Sequence, residues 1–228
     1  MEYEKRLAEL KERIAQACAR AGRDQDEVTI VGVTKYVGVE ETKSLIEAGL
    51  RDLGENRIAV AAPKLEAIPE EFGVRWHFIG HLQTNKAKDV IGRFSLIHSV
   101  DRLSLAKEIN KRAEVQGITV PCLVQVNVSG EDSKGGFAPE ELIGFLTEAQ
   151  AMKGLDLRGL MTMAPATDDA ETVRPVFRGL RELRDNLLAR GYLPAGSNEL
   201  SMGMSGDFEV AIEEGATFVR IGSVLVKP

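Results

Sequence analysis

Three things are scarce in this 228-residue chain, and each scarcity removes a class of protein. Cysteine occurs only at Cys18 and Cys122. One falls in a helical pattern and the other in a strand-like one, so they read as buried thiols of a reducing compartment rather than as a disulfide. Long apolar runs are missing, and no segment approaches the ~18 residues expected of a membrane span. The opening MEYEKRLAELKERI is charged and amphipathic and lacks the apolar stretch of a signal peptide. Positive charge is not in excess: 29 Lys and Arg against 35 Asp and Glu leave a net charge of −6. That balance argues against nucleic acid or an anionic membrane as the main partner. A soluble, cytoplasmic protein is the expectation.

What remains is ordinary globular composition, 28% charged and 43% hydrophobic. The length suits one large domain, 1–228, better than two small ones, and no linker, short repeat or composition shift divides it. Strand-like segments fall near 28–34, 51–54, 75–79, 95–98, 120–127, 156–161, 197–200 and 217–221. Helical patterns lie between them near 39–48, 56–67, 84–91, 101–115, 138–151, 170–190 and 205–213, and another covers 3–21. Asp101 is a candidate cap for the helix that ends before Gly117, and Gly49, Gly154, Gly191 and Gly215 stand where helices should stop. Eight strands alternating with helices predict a parallel α/β sheet closed into a (β/α)8 TIM barrel, with a doubly wound open sheet as the alternative. A helix after the last strand is missing from this pattern, and the N-terminal helix is expected to cover the gap.

Lys35 closes the nearly all-apolar run VTIVGVTK, a poor place for a solvated charge. On a strand buried on both faces, its amine emerges at the carboxyl end of the barrel, where α/β folds do their chemistry. Burial lowers a lysine's pKa and makes the amine available for Schiff-base formation, the alternative being a strand-end lysine that snorkels to water. Other polar residues gather at the same ends: Glu55, Asn56 and Arg57; His81, Gln83 and Asn85; Asn127 and Ser129; Met161, Thr162 and Met163. The segment SMGMSGD (201–207) and the residues Arg220, Ile221, Gly222 and Ser223 follow the seventh and eighth strands. Glycine and serine there, with Ser205 as a helix N-cap, predict a nest of backbone donors for phosphate, provided Asp207 and Glu209 point away. An amine facing a phosphate nest suits a phosphorylated aldehyde. Pyridoxal 5′-phosphate (PLP) meets that description, and so does the sugar phosphate of a Schiff-base aldolase.

The motifs VGVTK (31–35), GENR (54–57), WHFIGHLQTNK (76–86), GLMTMAP (159–165), ELSMGMSGD (199–207) and VRIGS (219–223) resemble those of the pyridoxal phosphate homeostasis protein family. These proteins are small relatives of the alanine racemase barrel (fold type III), and the similarity covers essentially the whole chain. The resemblance implies that Lys35 forms the internal aldimine with PLP. It implies that Ser201, Met202, Ser205, Gly222 and Ser223 form the phosphate segments, that Arg220 faces the pyridine nitrogen, and that Asn56 and Met163 line the pocket. His81 belongs to a family motif near the mouth. One departure stands out. Val224-Leu225-Val226-Lys227-Pro228 replaces the aromatic-glycine pair that commonly closes the family, which bears on how the chain end packs.

An arginine at the pyridine nitrogen has only donors to offer, which weakens the ring as an electron sink. The expected function is non-enzymatic: storing, delivering or buffering PLP in a monomer, with apo forms of PLP-dependent enzymes as candidate recipients. The alternatives are a low-activity PLP-dependent amino-acid racemase using water or His81 as proton relay, and the cofactor-free aldolase. His77, His81 and His98 make no dense metal-ligand pattern with the cysteines. The stretch Arg174–Arg190 reads as a solvated helix face, and Tyr36 is expected to turn away from the mouth because it adjoins Lys35.

Overall fold

The computed structural model describes residues 2–226. Eight strands, β1 (Thr29–Val33), β2 (Asp52–Glu55), β3 (Arg75–Phe78), β4 (Leu96–Val100), β5 (Val120–Gln125), β6 (Leu155–Met161), β7 (Glu199–Met204) and β8 (Phe218–Ile221), form a closed barrel in sequence order. Every neighbouring pair is parallel, and β8 returns to β1 with Thr29 opposite Phe218 and Val31 opposite Arg220. The helices between them are α2 (Val39–Glu47), α3 (Ile58–Ala67), α4 (Ala87–Val90), α5 (Leu103–Gln116), α6 (Leu142–Ala149), α7 (Arg174–Ala189) and α8 (Phe208–Glu213). The expected barrel is therefore present, and the open sheet is excluded.

Strand periodicity divides the core into two layers. Trp76, Phe78, Ile97, Cys122, Val124, Leu160, Leu200, Met202, Val219 and Ile221 join the apolar layer shared with the helices. Residues of opposite parity fill the barrel, where Leu96, Leu123 and Met161 pack with Met163 and Phe218. Val31 and Val33 of β1 share this face, and much of the rest of the interior is polar: His77, His98, Ser201, Gln125 and Arg220 are all buried. Cys18 and Cys122 are free, buried thiols, and burial pushes Cys122 up to about 12.

The N-terminal helix α1 (Glu2–Ala21) buries Leu7, Leu10, Ile14, Ala17 and Cys18 and packs against α8 and the chain end. It covers the gap as expected, but the gap is smaller than the pattern suggested, because one turn of helix, α9 (Ser223–Val226), follows β8. Leu225 and Val226 are buried there, and Arg6 Nη1 donates to Leu225 O (3.1 Å). Lys227 and Pro228 lie outside the described residues.

Two other sequence expectations change. Asp101 does not cap α5; Arg102 is the N-cap residue and Asp101 bonds elsewhere. The arginines of α7 are not simply solvated, since Arg174, Arg178 and Arg181 converge on Glu214, whose side chain is only 5% exposed. Arg174 also reaches Glu213 (2.6 Å), which pairs with Arg20 of α1 (2.6 Å), and Glu209 binds Arg13 (2.7 Å). The network joins three helices on one side of the barrel. Shared partners of this kind give charges more weight than an isolated surface pair has.

Gly159 shows how tightly β6 meets β7. Its φ is +151°, and a Cβ at that position would lie 1.9 Å from Glu199 O. Steric overlap and backbone strain act together, so Gly159→Ala should cost about 3 kcal/mol or more. A urea denaturation midpoint measures this, and a loss below about 1 kcal/mol would mean the two strands separate freely at that point.

Candidate functional site

The carboxyl ends of the strands open into a cavity of about 770 Å³. Lys35, Asn56, His81, Met163, Ser205, Arg220, Gly222 and Ser223 all line it. Lys35 lies in the turn after β1, beyond the strand itself, and is half-buried. Its Nζ sits over the Tyr36 ring, 4.8 Å from the centroid. Tyr36 therefore does not turn away: it lines the cavity, 74% exposed, with its face toward the ammonium.

Ser201 and Met202 are not brought to the cavity, contrary to the sequence expectation. The strand expected over 197–200 runs instead from Glu199 to Met204, so both residues sit inside it. Met202 points outward into the layer beneath the helices, and Ser201 points inward one layer below the cavity floor, both fully buried. Ser201 contacts the site only through others: Arg220 Nη1 donates to its Oγ (2.7 Å), and that Oγ bonds His98 Nδ1 (2.7 Å).

Ser205 does not cap α8 either; Asp207 occupies that position. The Ser205 hydroxyl instead accepts from Gly222 N (3.2 Å) and Val224 N (3.5 Å), tying the loop after β7 to the start of α9. Asp207 is buried and turned back to accept from Met204 N (2.5 Å), and Glu209 is held outward by Arg13. Burial raises the Asp207 pKa, against the pull of that backbone N–H and of Arg220. The two acids thus leave the Gly206 and Gly222–Ser223 backbone facing the cavity. A Cβ on Gly206 would meet nothing within 4 Å.

Arg220 forms the floor. Its Nη2 donates to Thr162 O (2.9 Å), and burial pushes its pKa down to about 10, with Asp207 acting in the opposite sense. Asn56 is fixed from behind by Gly80, where a Cβ would come within 2.2 Å of Asn56 O. His81 is exposed, with Nδ1 2.9 Å from Asp101 Oδ2, and Arg102 Nη1 donates to the other oxygen of Asp101 (2.5 Å).

Sequence reasoning missed two features. The loop 132–135 lines the cavity, held there by Gln125 Nε2, which donates to Lys134 O (2.9 Å). Its only advance signal was the pair Gly135-Gly136, and Gly136 passes so close that a Cβ would lie 2.8 Å from Gln125 O. The second is a buried triad behind Lys35. Lys64 Nζ pairs with Glu55 Oε1 and donates to Thr34 O (2.6 Å), while Thr34 Oγ1 donates to Glu55 (2.6 Å). No local pattern marks a lysine in the middle of α3 as buried.

The donor set fits a phosphorylated aromatic aldehyde. It offers a primary amine, backbone N–H groups and a hydroxyl for an anion, and a guanidinium that can only donate to a ring nitrogen. The family model for the N-terminal domain of alanine racemase matches residues 6–228, which defines the molecule as a barrel of that class. The chain is 48% identical over 220 residues to the pyridoxal phosphate homeostasis protein of Aquifex aeolicus, covering 96% of this chain and 95% of that one. Among solved structures it is similar to an unknown protein from Bifidobacterium adolescentis (TM-score 0.91, 37% identity, 98% of this chain and 94% of that one). PipY of Synechococcus elongatus PCC7942, solved with PLP bound, is also similar (TM-score 0.84, 31% identity, 98% and 99% covered). The chain belongs to the pyridoxal phosphate homeostasis protein family.

Two measurements test this geometry. Glu55→Ala leaves Lys64 charged and buried without its counter-ion, so chemical denaturation should show a loss of about 3–5 kcal/mol. Most of that should return in Glu55→Leu/Lys64→Met, which removes both charges. The second concerns pH. Burial, with His77 and Arg220 nearby, holds His98 well below its ordinary 6.5. The unfolded chain then takes up a proton below pH 6.5 that the folded chain refuses, so this contribution to stability is complete above 6.5 and declines below it. This part of the slope should approach ~1.4 kcal/mol per pH unit, and His98→Asn should flatten the profile by that amount.

Proposed function

We propose that this chain binds PLP reversibly and serves as a non-catalytic reservoir of the cofactor, storing and buffering it. The observation that carries the reading is the common cavity of the Lys35 amine, the Ser205–Gly222–Ser223 donors and the Arg220 floor. PLP, when bound, supplies an aldehyde that condenses reversibly with amines. Lys35 is the amine that would hold it covalently. Ser205, Gly222 and Ser223 would bind the phosphate, the Gly222 N–H turning to it from Ser205 Oγ, with Asp207 and Glu209 directed away. Arg220 would donate to the ring nitrogen, and Asn56 and Met163 would flank the ring. Ser201 and Met202 support this set from below and from outside.

A guanidinium at the ring nitrogen supplies no proton acceptor there, which disfavours strong electron withdrawal by the ring. Lys35 is half-buried and His81 exposed, so water and incoming amines reach the site. Access of this kind suits exchange of cofactor better than a reaction that depends on excluding water. We further infer that the whole of 1–228 acts as one unit, a monomer, in the cytoplasm, with apo-enzymes as recipients. The two free thiols fit a reducing compartment. Among the described residues no helix is long and apolar enough to cross a membrane.

Borohydride reduction of the PLP-treated protein followed by peptide mapping should place the adduct on the peptide carrying Lys35. Lys35→Ala should lose both the adduct and the yellow colour. An adduct on another lysine would overturn the assignment. One observation favours slow racemisation as a second reading: the Asp101 carboxylate orients the His81 imidazole at the rim of the cavity. Solvent deuterium entering the α-position of an added amino acid, at a rate lost in His81→Ala, would replace the reservoir with an enzyme.

A further inference from the structure

Beneath Arg220 an unbroken row of hydrogen bonds crosses the barrel. Arg220 Nη1 donates to Ser201 Oγ (2.7 Å), Ser201 Oγ meets His98 Nδ1 (2.7 Å), and His98 Nε2 meets His77 Nδ1 (2.8 Å). His77 Nε2 ends the row on Asp52 Oδ1 (2.9 Å), whose carboxylate also accepts from Arg75 Nε (2.7 Å). Arg220 lines the mouth, whereas Asp52, Arg75 and His77 line a separate cavity of about 320 Å³ with Thr29, Pro121 and Phe218, at the amino ends of the strands. The row therefore joins the two ends of the barrel. Five strands contribute one residue each: β8, β7, β4, β3 and β2.

The chemistry of its ends fixes its polarity. A guanidinium can only donate and a carboxylate can only accept. Ser201 Oγ accepts from Arg220, and among the described residues His98 Nδ1 is its one remaining partner, so the buried hydroxyl proton finds an acceptor only if it goes there. His98 must then carry hydrogen on Nε2 and donate to His77 Nδ1, and His77 must carry hydrogen on Nε2 and donate to Asp52. Each link has one donor and one acceptor, with both imidazoles neutral in the same tautomer. In this arrangement a proton added at Nδ1 would face another donor, the Ser201 hydroxyl at His98 and the Nε2–H of His98 at His77. Burial disfavours a charged His98; burial also acts to raise the Asp52 pKa, but the hydrogen bonds from His77 and Arg75 outweigh it and keep that carboxylate ionised.

We propose that Asp52, His77, His98 and Ser201 are positioning residues for Arg220, forming a one-directional relay that holds its guanidinium toward the mouth from the opposite end of the barrel. The relay sets how Arg220 presents its donors to a ring nitrogen, so substitutions far from the cavity alter the bound cofactor. That last step rests on the PLP reading above; the orientation of the relay does not.

The test has two arms. Nitrogen-15 NMR of histidine-labelled protein without cofactor should show His77 and His98 neutral and protonated on Nε2 at neutral pH. A ring protonated on Nδ1, alone or together with Nε2, overturns the relay whether or not the protein binds PLP. In the second arm, Ser201→Ala and Asp52→Ala are loaded with PLP. Both should shift its absorption and speed its release about 3- to 10-fold, the worth of one internal hydrogen bond, while Ser201→Thr keeps the parent values. A merely structural role would lower the melting temperature and leave spectrum and release unchanged, and that result overturns the proposal. Ser201→Ala removes a single oxygen and decides this arm if Asp52→Ala does not fold. If the parent protein takes up no PLP, the reservoir reading fails while the tautomers still decide the relay.

Discussion

A guanidinium inside a β-barrel is the constraint on which the rest of this structure depends. Arg220 is 5% exposed and lies where a barrel of this kind ordinarily stacks branched apolar side chains. Taking that charge out of water is tolerable only if its donors are met. Thr162 O and Ser201 Oγ meet two of them, and the histidine pair carries the polarity on to Asp52. The apolar filling of the barrel is accordingly thinned: Leu96, Leu123 and Met161 pack with Met163 and Phe218, and Val31 lies in register beside Arg220. Phe218 packs edge-on to His98 and tilted against His77, so an aromatic wall lines the polar row without offering a competing acceptor.

The same economy of charge governs the mouth. A phosphate nest gains from backbone donors and loses from nearby carboxylates, and two acids follow the Ser205-Gly206 turn directly. The fold disposes of them in opposite ways. Asp207 is folded back onto the Met204 N–H, and Glu209 is drawn outward into the ion-pair network of α1, α7 and α8. The N-terminal helix therefore does more than cover an open face of the barrel. Through Arg13 it removes a negative charge from the anion end of the site, and through Arg20 it anchors Glu213 of the same short helix. Stability of the outer layer and electrostatics of the cavity share residues.

The barrel was legible because its signals are local and repeated: apolar runs of strand length, separated by amphipathic segments with glycine at their ends. Lys35 was legible because a cation is out of place after such a run. The misreading of β7 has a simple cause, which is that a short sequence window does not say where a strand stops. Ser201 and Met202 look like loop residues when β7 is ended at 200, and like an inward and an outward strand residue once it extends to Met204. The interior pairs were invisible for a different reason. His77 and His98 are neighbours only because β3 and β4 are adjacent in the closed sheet, and Lys64 meets Glu55 only because α3 packs back over β2. No spacing along the chain encodes either contact. Arg220, by contrast, was placed by its resemblance to a family motif, and its partners had to come from the fold.

The distinction between reservoir and catalyst then turns on which parts of the site are rigid. The floor is over-determined: Arg220, Ser201, Thr162 and Asp207 are buried and each has hydrogen-bond partners inside the fold. The proposed covalent residue is not. Lys35 stands on a turn, half-buried, with its amine over the exposed Tyr36 ring. A catalyst needs the reverse emphasis, because proton transfer demands an acid or base held within hydrogen-bond reach of the reacting atoms. A reservoir needs a cofactor recognised firmly at its phosphate and ring nitrogen and released through an accessible amine. Each 1.4 kcal/mol added to the grip lengthens residence about tenfold, so a few uncharged donors and one shielded guanidinium favour exchange over permanent capture.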